Sequence, residues 1–209
     1  MTQPTEQFVI STTAQLDLLF EKVSDASLKK EVSNIHPRYR QLIEASPFCV
    51  LATSGPDGLD ASPRGDPPGF VHVQDEHTLL VPERRGNNRV DSLRNILTDP
   101  RVALLFLIPG VGETLRVNGR ACITTDPELL QRFSMEGKLP KCVLIVKVEA
   151  VFFQCARAIR RSNLWQPVAA EVPAKVPSAG AMLEAITNAQ IDGELYDRDL
   201  QARQQASLY

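Results

Sequence analysis

From Thr13 to about Val32 the apolar residues Leu16, Leu19, Phe20 and Val23 recur at helical spacing, and Ser11, Thr12 or Thr13 can act as N-cap. One amphipathic opening helix is therefore predicted. His36-Pro37 interrupts that pattern, a short second helix is expected over Arg38 to Ala45, and Pro47 stops it. Beyond Pro47 the apolar runs become short and alternating, which is the signature of strands. Phe48 to Thr53 and Leu59 to Arg64 flank Ser54-Gly-Pro-Asp-Gly58 and read as a hairpin. Phe70 to Val73 and His77 to Val81 flank Gln74-Asp-Glu76, and Pro82 ends the second of them.

A helix is expected from about Asn88 to Leu97, closed by Asp99-Pro100, and is followed by Arg101 to Ile108, the most apolar run of the chain and a predicted central strand. In Thr114 to Thr124, Leu115, Val117, Gly119, Ala121 and Ile123 alternate with Arg116, Asn118, Arg120 and Cys122, so one face is apolar and the other largely polar. Asp126-Pro127 has the form of an N-cap and first helical position for a helix through Phe133, and Val143 to Phe153 is the last long strand. The pattern amounts to about six strands, largely antiparallel, with helices in the connections. Pro167, Pro173 and Pro177 space out an extended linker, Ser178 can cap a helix through Met182, Leu183 and Ile186, and the final polar residues are expected to fray or to reach a partner subunit.

With 209 residues, 43% hydrophobic and 23% charged, the chain has an ordinary globular balance and room for one domain with decorations. The formal charge of −2 gives no general attraction to nucleic acid, so no nucleic-acid role is expected and the pairs Arg84-Arg85 and Arg160-Arg161 call for a local explanation. The first residues lack a signal-peptide pattern and no apolar run is long enough to span a bilayer, so a cytoplasmic protein with no membrane partner is expected. Cys49, Cys122, Cys142 and Cys155 show no C-x-x-C pairing, which fits buried reduced thiols better than disulfides or zinc. His36, His72 and His77 form no metal-ligand pattern.

Two clusters carry candidate chemistry. Ala61-Ser-Pro-Arg-Gly-Asp-Pro-Pro-Gly69 ends a strand in an irregular loop bearing a hydroxyl and a guanidinium, the kind of loop that faces ligands. Pro82-Glu-Arg-Arg-Gly-Asn-Asn-Arg-Val-Asp-Ser92 leaves a strand, turns at Gly86 and enters a helix, so unpaired backbone N–H groups lie beside Arg84, Arg85 and Arg89. That combination suits a phosphate dianion, although a solvated basic face fits the same residues. Arg116 and Asn118 alternate onto a polar strand face that could open on the same cavity, and Trp165 follows Arg160-Arg-Ser-Asn-Leu. On its own a lone tryptophan reads as a core or interface anchor.

Taken together, Leu51-Ala-Thr53, Ser62-Pro-Arg-Gly-Asp66, Pro82-Glu-Arg-Arg-Gly-Asn-Asn88, Thr114-Leu-Arg-Val-Asn-Gly-Arg120, Cys155-Ala-Arg-Ala158 and Arg161-Ser-Asn-Leu-Trp165 resemble the FMN-binding, pyridoxamine 5′-phosphate oxidase-like flavoproteins. The resemblance runs over roughly residues 37 to 165, and its strength lies in several motifs occurring in order. It implies a mainly β, α+β fold, a six-stranded antiparallel split β-barrel with helices in the connections and at both termini. It divides the chain into a helical extension (1–36), the barrel (37–165), and a linker with C-terminal helix (166–209). It also implies a homodimer with FMN in grooves at the subunit interface. By position, Ser62 and Arg64 would lie near flavin and phosphate, Arg84, Arg85, Asn87, Asn88 and Arg89 near phosphate and ribityl chain, and Ser92 at the helix start. Arg116, Asn118, Ser162 and Trp165 would line the same groove, from either subunit.

The oxidase proper ends in an arginine-bearing motif that this C-terminus, Asp199-Leu-Gln-Ala-Arg-Gln-Gln-Ala-Ser-Leu-Tyr209, does not match. The expected activity is therefore FMN-dependent oxidation or reduction of another small organic substrate, with NADH, NADPH or oxygen as second redox partner. A flavin sensor or carrier without turnover, and a haem-handling split barrel, are the alternatives.

Overall fold

The computed structural model describes residues 8–169, 172 and 175–209. Pro173, one of the prolines expected to space the linker, lies outside the described residues. The chain forms two compact units, Met1–Glu31 and Val32–Tyr209. In the first, α1 (Thr13–Asp17) is closed by a capping box between Thr12 and Gln15, and α2 (Asp25–Lys29) is capped by Ser24, whose side chain accepts from the Ser27 N–H. The single opening helix expected there is thus two short ones. Ser24 supplies a second start, and no residue of either helix is buried, so no packing favours a continuous helix.

The second unit begins with α3 (Pro37–Ala45), where His36 Nδ1 accepts from the Arg38 N–H at 3.2 Å and Pro37 takes the first helical position. Seven strands follow: β1 (Phe48–Gly55), β2 (Gly58–Gly65), β3 (His72–Asp75), β4 (Thr78–Glu83), β5 (Arg101–Leu107), β6 (Thr114–Thr124) and β7 (Cys142–Gln154). All recorded pairings are antiparallel, in the order β2-β1-β5-β6-β7-β4-β3. Every extended segment read from the sequence is present, and they make seven strands in one sheet where about six were expected.

Alternation decides the two faces. Cys49, Leu51, Val102, Leu104, Phe106, Leu115, Val117, Val146 and Val151 point into the core with Ile43, and each of the larger ones contributes about 1.5–3 kcal/mol by leaving water. The opposite face of the same strands carries Val50, Ala52, Ala103, Leu105 and Phe152, all half-buried. At the β6–β7 register shift, a Cβ on Gly119 would lie 2.2 Å from the Lys147 carbonyl oxygen, so only glycine lets the two backbones close there.

Helices fill the connections: α4 (Asp91–Thr98) between β4 and β5, α5 (Pro127–Arg132) between β6 and β7, and α6 (Arg157–Ser162) after β7. Asn95 of α4 donates to the buried Thr53 hydroxyl of β1 at 3.1 Å, which fixes the helix against the sheet. The C-terminus corrects an expectation. After the predicted α7 (Ala179–Ile186), capped by Ser178, the polar tail forms α8 (Gly193–Ala206), capped by Asp192. The two helices cross at Gly180 and Gly193, and the Gly180 N–H donates to Asp197 at 2.7 Å.

Candidate functional site

β2 and β4 stand far apart in the strand order, yet their C-terminal ends meet through side chains. Arg64 Nε donates to Glu83 at 3.0 Å, and Arg84 Nε donates to Asp66 at 2.6 Å. The sheet therefore curls until these ends face each other. Between them opens a cavity of about 570 Å³, a size typical of ligand pockets, against which Ser62, Arg64, Arg84, Arg85, Asn87, Asn88, Arg89 and Ser92 all lie. These two groups of expected site residues, separated in sequence by the β3–β4 hairpin, are brought to one wall.

The polar groups of this wall are mostly satisfied within the chain. The Asp60 carboxylate accepts from Ser92 at 2.5 Å and from Ser62 at 3.1 Å, tying α4 to β2. Asp66, whose side chain is 1% exposed, holds Arg84, whose Nη1 also donates to the Phe133 carbonyl at 2.6 Å. Arg84 is thereby tied into the cavity wall. Arg89 pairs only with the exposed Asp91 at 2.8 Å, a contact of little net value, and Arg85 has no ion pair among the described residues.

The expected helix near Asn88 begins three residues later, at Asp91. Asn88 (φ 61°) and Val90 (φ 52°) are both left-handed, and the second is a costly conformation for a β-branched residue. Val90 is the N-cap, and no side chain caps the first turn of α4. The helix N-terminus thus offers backbone N–H groups beside Arg85 and Arg89.

The remaining expected residues do not line this cavity within one chain. Arg64 pairs across the ladder with Cys49 and Ser62 with Leu51, on the core face. Arg116 pairs with Leu105 and Asn118 with Ala103, on the opposite face. There Arg116 stacks its guanidinium 4.1 Å from the Phe152 ring centroid. Arg116 Nε and Asn118 Oδ1 are buried and have no hydrogen-bond partner among the described residues. Ser162 is exposed and donates to the Ile159 carbonyl, and Trp165 is anchored through Nε1 to the Val111 carbonyl at 2.7 Å.

Burial pushes the Cys49 thiol up to about 12, with Arg64 opposing, and burial also raises Cys142. Cys122 and Cys155 are exposed, which corrects the expectation that the thiols are generally buried. Strand alternation puts Cys122 opposite Ile145 on the outward face, and Cys155 lies past the end of β7. Burial and the adjacent Arg132 guanidinium hold His72 below the usual imidazole range.

Several residues with roles here carry no sequence signal for them. Asp60 and Glu83 look like ordinary surface carboxylates until the fold supplies their partners. Tyr209, at the end of the expected fraying tail, donates to Asp66 at 2.7 Å and lies 5.6 Å from the Arg84 guanidinium. Nothing in its local sequence foretells that contact.

Against known proteins, residues 35–155 match the family model described as pyridoxamine 5′-phosphate oxidase. No curated protein matches. Among solved structures, HupZ of Group A Streptococcus is 20% identical, with 58% of this chain and 94% of that one covered and a TM-score of 0.49. General stress protein 26 of Bacillus anthracis is 19% identical, covering 54% of this chain and 88% of its own, at a TM-score of 0.39. A Clostridium acetobutylicum protein related to general stress protein 26, of the pyridoxinephosphate oxidase family, is 15% identical, with 56% and 86% covered and a TM-score of 0.44. The family match spans all seven strands and stops short of α6, takes in the whole cavity wall from Asp60 to Lys141, and establishes that this chain belongs to the pyridoxamine 5′-phosphate oxidase family.

Proposed function

We propose that the protein is an FMN-dependent oxidoreductase acting on a small organic substrate other than pyridoxamine phosphate, and that it works as a homodimer whose subunits share each flavin site. The observation that carries this reading is the uncapped α4 N-terminus opening, beside Arg85 and Arg89, on a cavity of about 570 Å³. A helix terminus and forked guanidinium donors together suit a phosphate dianion. Arg85, Asn87, Asn88 and Arg89 would hold the phosphate and ribityl chain, Ser62 and Arg64 would stand nearest the flavin, and Ser92 would brace the wall through Asp60.

Support for the shared site comes from the outer face. Burying an amide oxygen and a guanidinium N–H without partners costs on the order of 1–3 kcal/mol each, and such orphans call for a partner from outside the chain. Arg116 and Asn118 sit on a half-buried apolar face of Val50, Ala52, Ala103, Leu105 and Phe152, which suits a second copy of the chain. In that reading the two residues complete the partner's cavity. Trp165, its indole N–H already engaged by Val111, would offer only its ring face, and Ser162 would lie at the rim.

Bound FMN supplies the redox step, and the residues of this chain bind, orient and exclude water. The absorption spectrum of the purified protein, with chromatography of any cofactor released on denaturation, tests the assignment. FMN near one per chain is expected, and a colourless protein that takes up no added FMN would remove it. Reduction of the bound flavin by NADH or NADPH then separates an oxidoreductase from a carrier.

A further inference from the structure

The C-terminal helices α7 and α8 pack on each other and on little else. Gly180 and Gly193 are the buried residues of the pair, while Met182 is 48% and Ile186 76% exposed, four residues apart on one side of α7. Among the described residues, one hydrogen bond joins this hairpin to the rest of the chain, from the Tyr209 hydroxyl to Asp66 at 2.7 Å. We propose that the hairpin is a clasp for a second copy of this chain, and that it docks on the partner subunit's α6. The inference rests on the homodimer proposed above and gives the C-terminal helices a place in it.

Charge complementarity selects the occupant. From residue 150 to 170 the chain holds no acidic side chain, and Arg157, Arg160 and Arg161 of α6 are exposed without an ion pair among the described residues. The hairpin is the opposite, with five acidic side chains from Ser178 onward against Arg198 and Arg203. Asp197 is taken up by the Gly180 N–H and Asp199 by Arg198 at 3.2 Å, whereas Glu184 and Glu194 are exposed and have no ion pair among the described residues. These two lie together, because a Cβ on Gly193, the residue before Glu194, would fall 2.6 Å from Glu184 Oε2. Repulsion within each cluster is relieved when the two clusters meet.

Neither cluster answers the other within one chain, although both are present on it, so the pairing is left for a second copy. A surface that carries both halves of a complementary pair closes as a two-fold dimer, each hairpin on the other subunit's α6. The proposed site brings the two to one place. Tyr209 seats the hairpin on the cavity wall, where it lines a small cavity of about 230 Å³ with Arg84 and Arg85. The shared-site reading brings the partner's Ser162, the last residue of α6, to the rim of that same wall. Both sides also offer apolar contact, Met182 and Ile186 on the hairpin and the exposed Leu164 and Val168 just beyond α6.

Charge reversal on the full chain tests the clasp. One form carries Glu184→Lys and Glu194→Lys on the hairpin, the other Arg157→Glu and Arg160→Glu on α6, and none of these four residues lines the large cavity. Each form alone sets like charges against each other, so its homodimer should dissociate at least about fivefold more readily than the native one in analytical ultracentrifugation. Mixed in equal amounts, the two forms make both contacts favourable again. Mixed dimers should then outnumber homodimers at least about fivefold by native mass spectrometry, where random pairing gives equal amounts. Random pairing, or homodimers as tight as the native one, overturns the clasp and leaves the shared flavin site standing. A native chain that is monomeric overturns the clasp and the homodimer together. A colourless native dimer whose variants still pair by charge would keep the clasp and sink only the flavin reading. Should the lysine form melt early, Glu184→Gln with Glu194→Gln replaces it, and a native-like dimer affinity in that variant overturns the clasp.

Discussion

The two faces of the sheet treat their polar groups in opposite ways. On the cavity side, Asp60, Asp66, Arg64 and Arg84 each find partners inside the chain, three of them in ion pairs of 2.6 and 3.0 Å. On the outer face, Arg116 Nε and Asn118 Oδ1 are buried with no partner among the described residues. The cavity face is finished within the chain, and the outer face leaves two polar atoms unfinished among the described residues. Buried polar groups are stabilising only when fully paired, so the first face supports the fold and the second carries a cost that the proposed association would relieve.

The largest effect should come from breaking the finished wall. Arg84→Met leaves the Asp66 carboxylate, 1% exposed, without its guanidinium, and stability should fall by about 3–5 kcal/mol in urea titrations. A loss under about 1 kcal/mol would mean that Tyr209 alone suffices for Asp66. Asn118→Leu makes the opposite test. It removes an orphaned amide, so the stability of the flavin-free protein should hold or rise, while FMN affinity falls at least about tenfold, or ~1.4 kcal/mol, by fluorescence titration. Equal losses in both readouts would erase the contrast between the faces.

The strained entrance to α4 yields a smaller effect. Val90→Gly relieves a left-handed valine and should stabilise the flavin-free protein by about 1 kcal/mol, while loosening the loop and weakening FMN binding several-fold. The smallest concerns pH. With its folded pKa held below the usual imidazole value of 6.5 by burial and Arg132, His72 takes up a proton more readily unfolded than folded. Its contribution is present above 6.5 and is lost as pH falls through the folded value, so the urea midpoint should drop across that window, and His72→Gln should flatten the drop.

The sequence shows the finished face more readily than the unfinished one, and the reason is range. Period-2 alternation in Leu115 to Ile123 and the apolar run of Arg101 to Ile108 reveal strands because each is a local property. The clusters Ser62 to Asp66 and Glu83 to Arg89 are legible as candidates, but that both line one cavity depends on the curl of the sheet. That Asp66 and the Phe133 carbonyl hold Arg84 is not legible in its local sequence, because both reach it through tertiary folding. Alternation assigns Arg116 and Asn118 to a polar face, yet it cannot say which of two cavities, or which subunit, that face meets. Helix α8 is missed because its polar surface resembles a solvated tail, its only strong local sign being Asp192 as N-cap.

Subunit mixing tests the shared site most directly. One form carries Arg85→Glu and Arg89→Glu on the cavity wall, the other Arg116→Leu and Asn118→Leu on the outer face, and each alone should bind no FMN. Co-expressed and purified as mixed pairs, they should regain about one FMN per two chains, because an intact wall then faces an intact outer surface. Mixed pairs that stay empty, or an outer-face variant that binds FMN like the native protein by itself, would contradict a site built from two subunits.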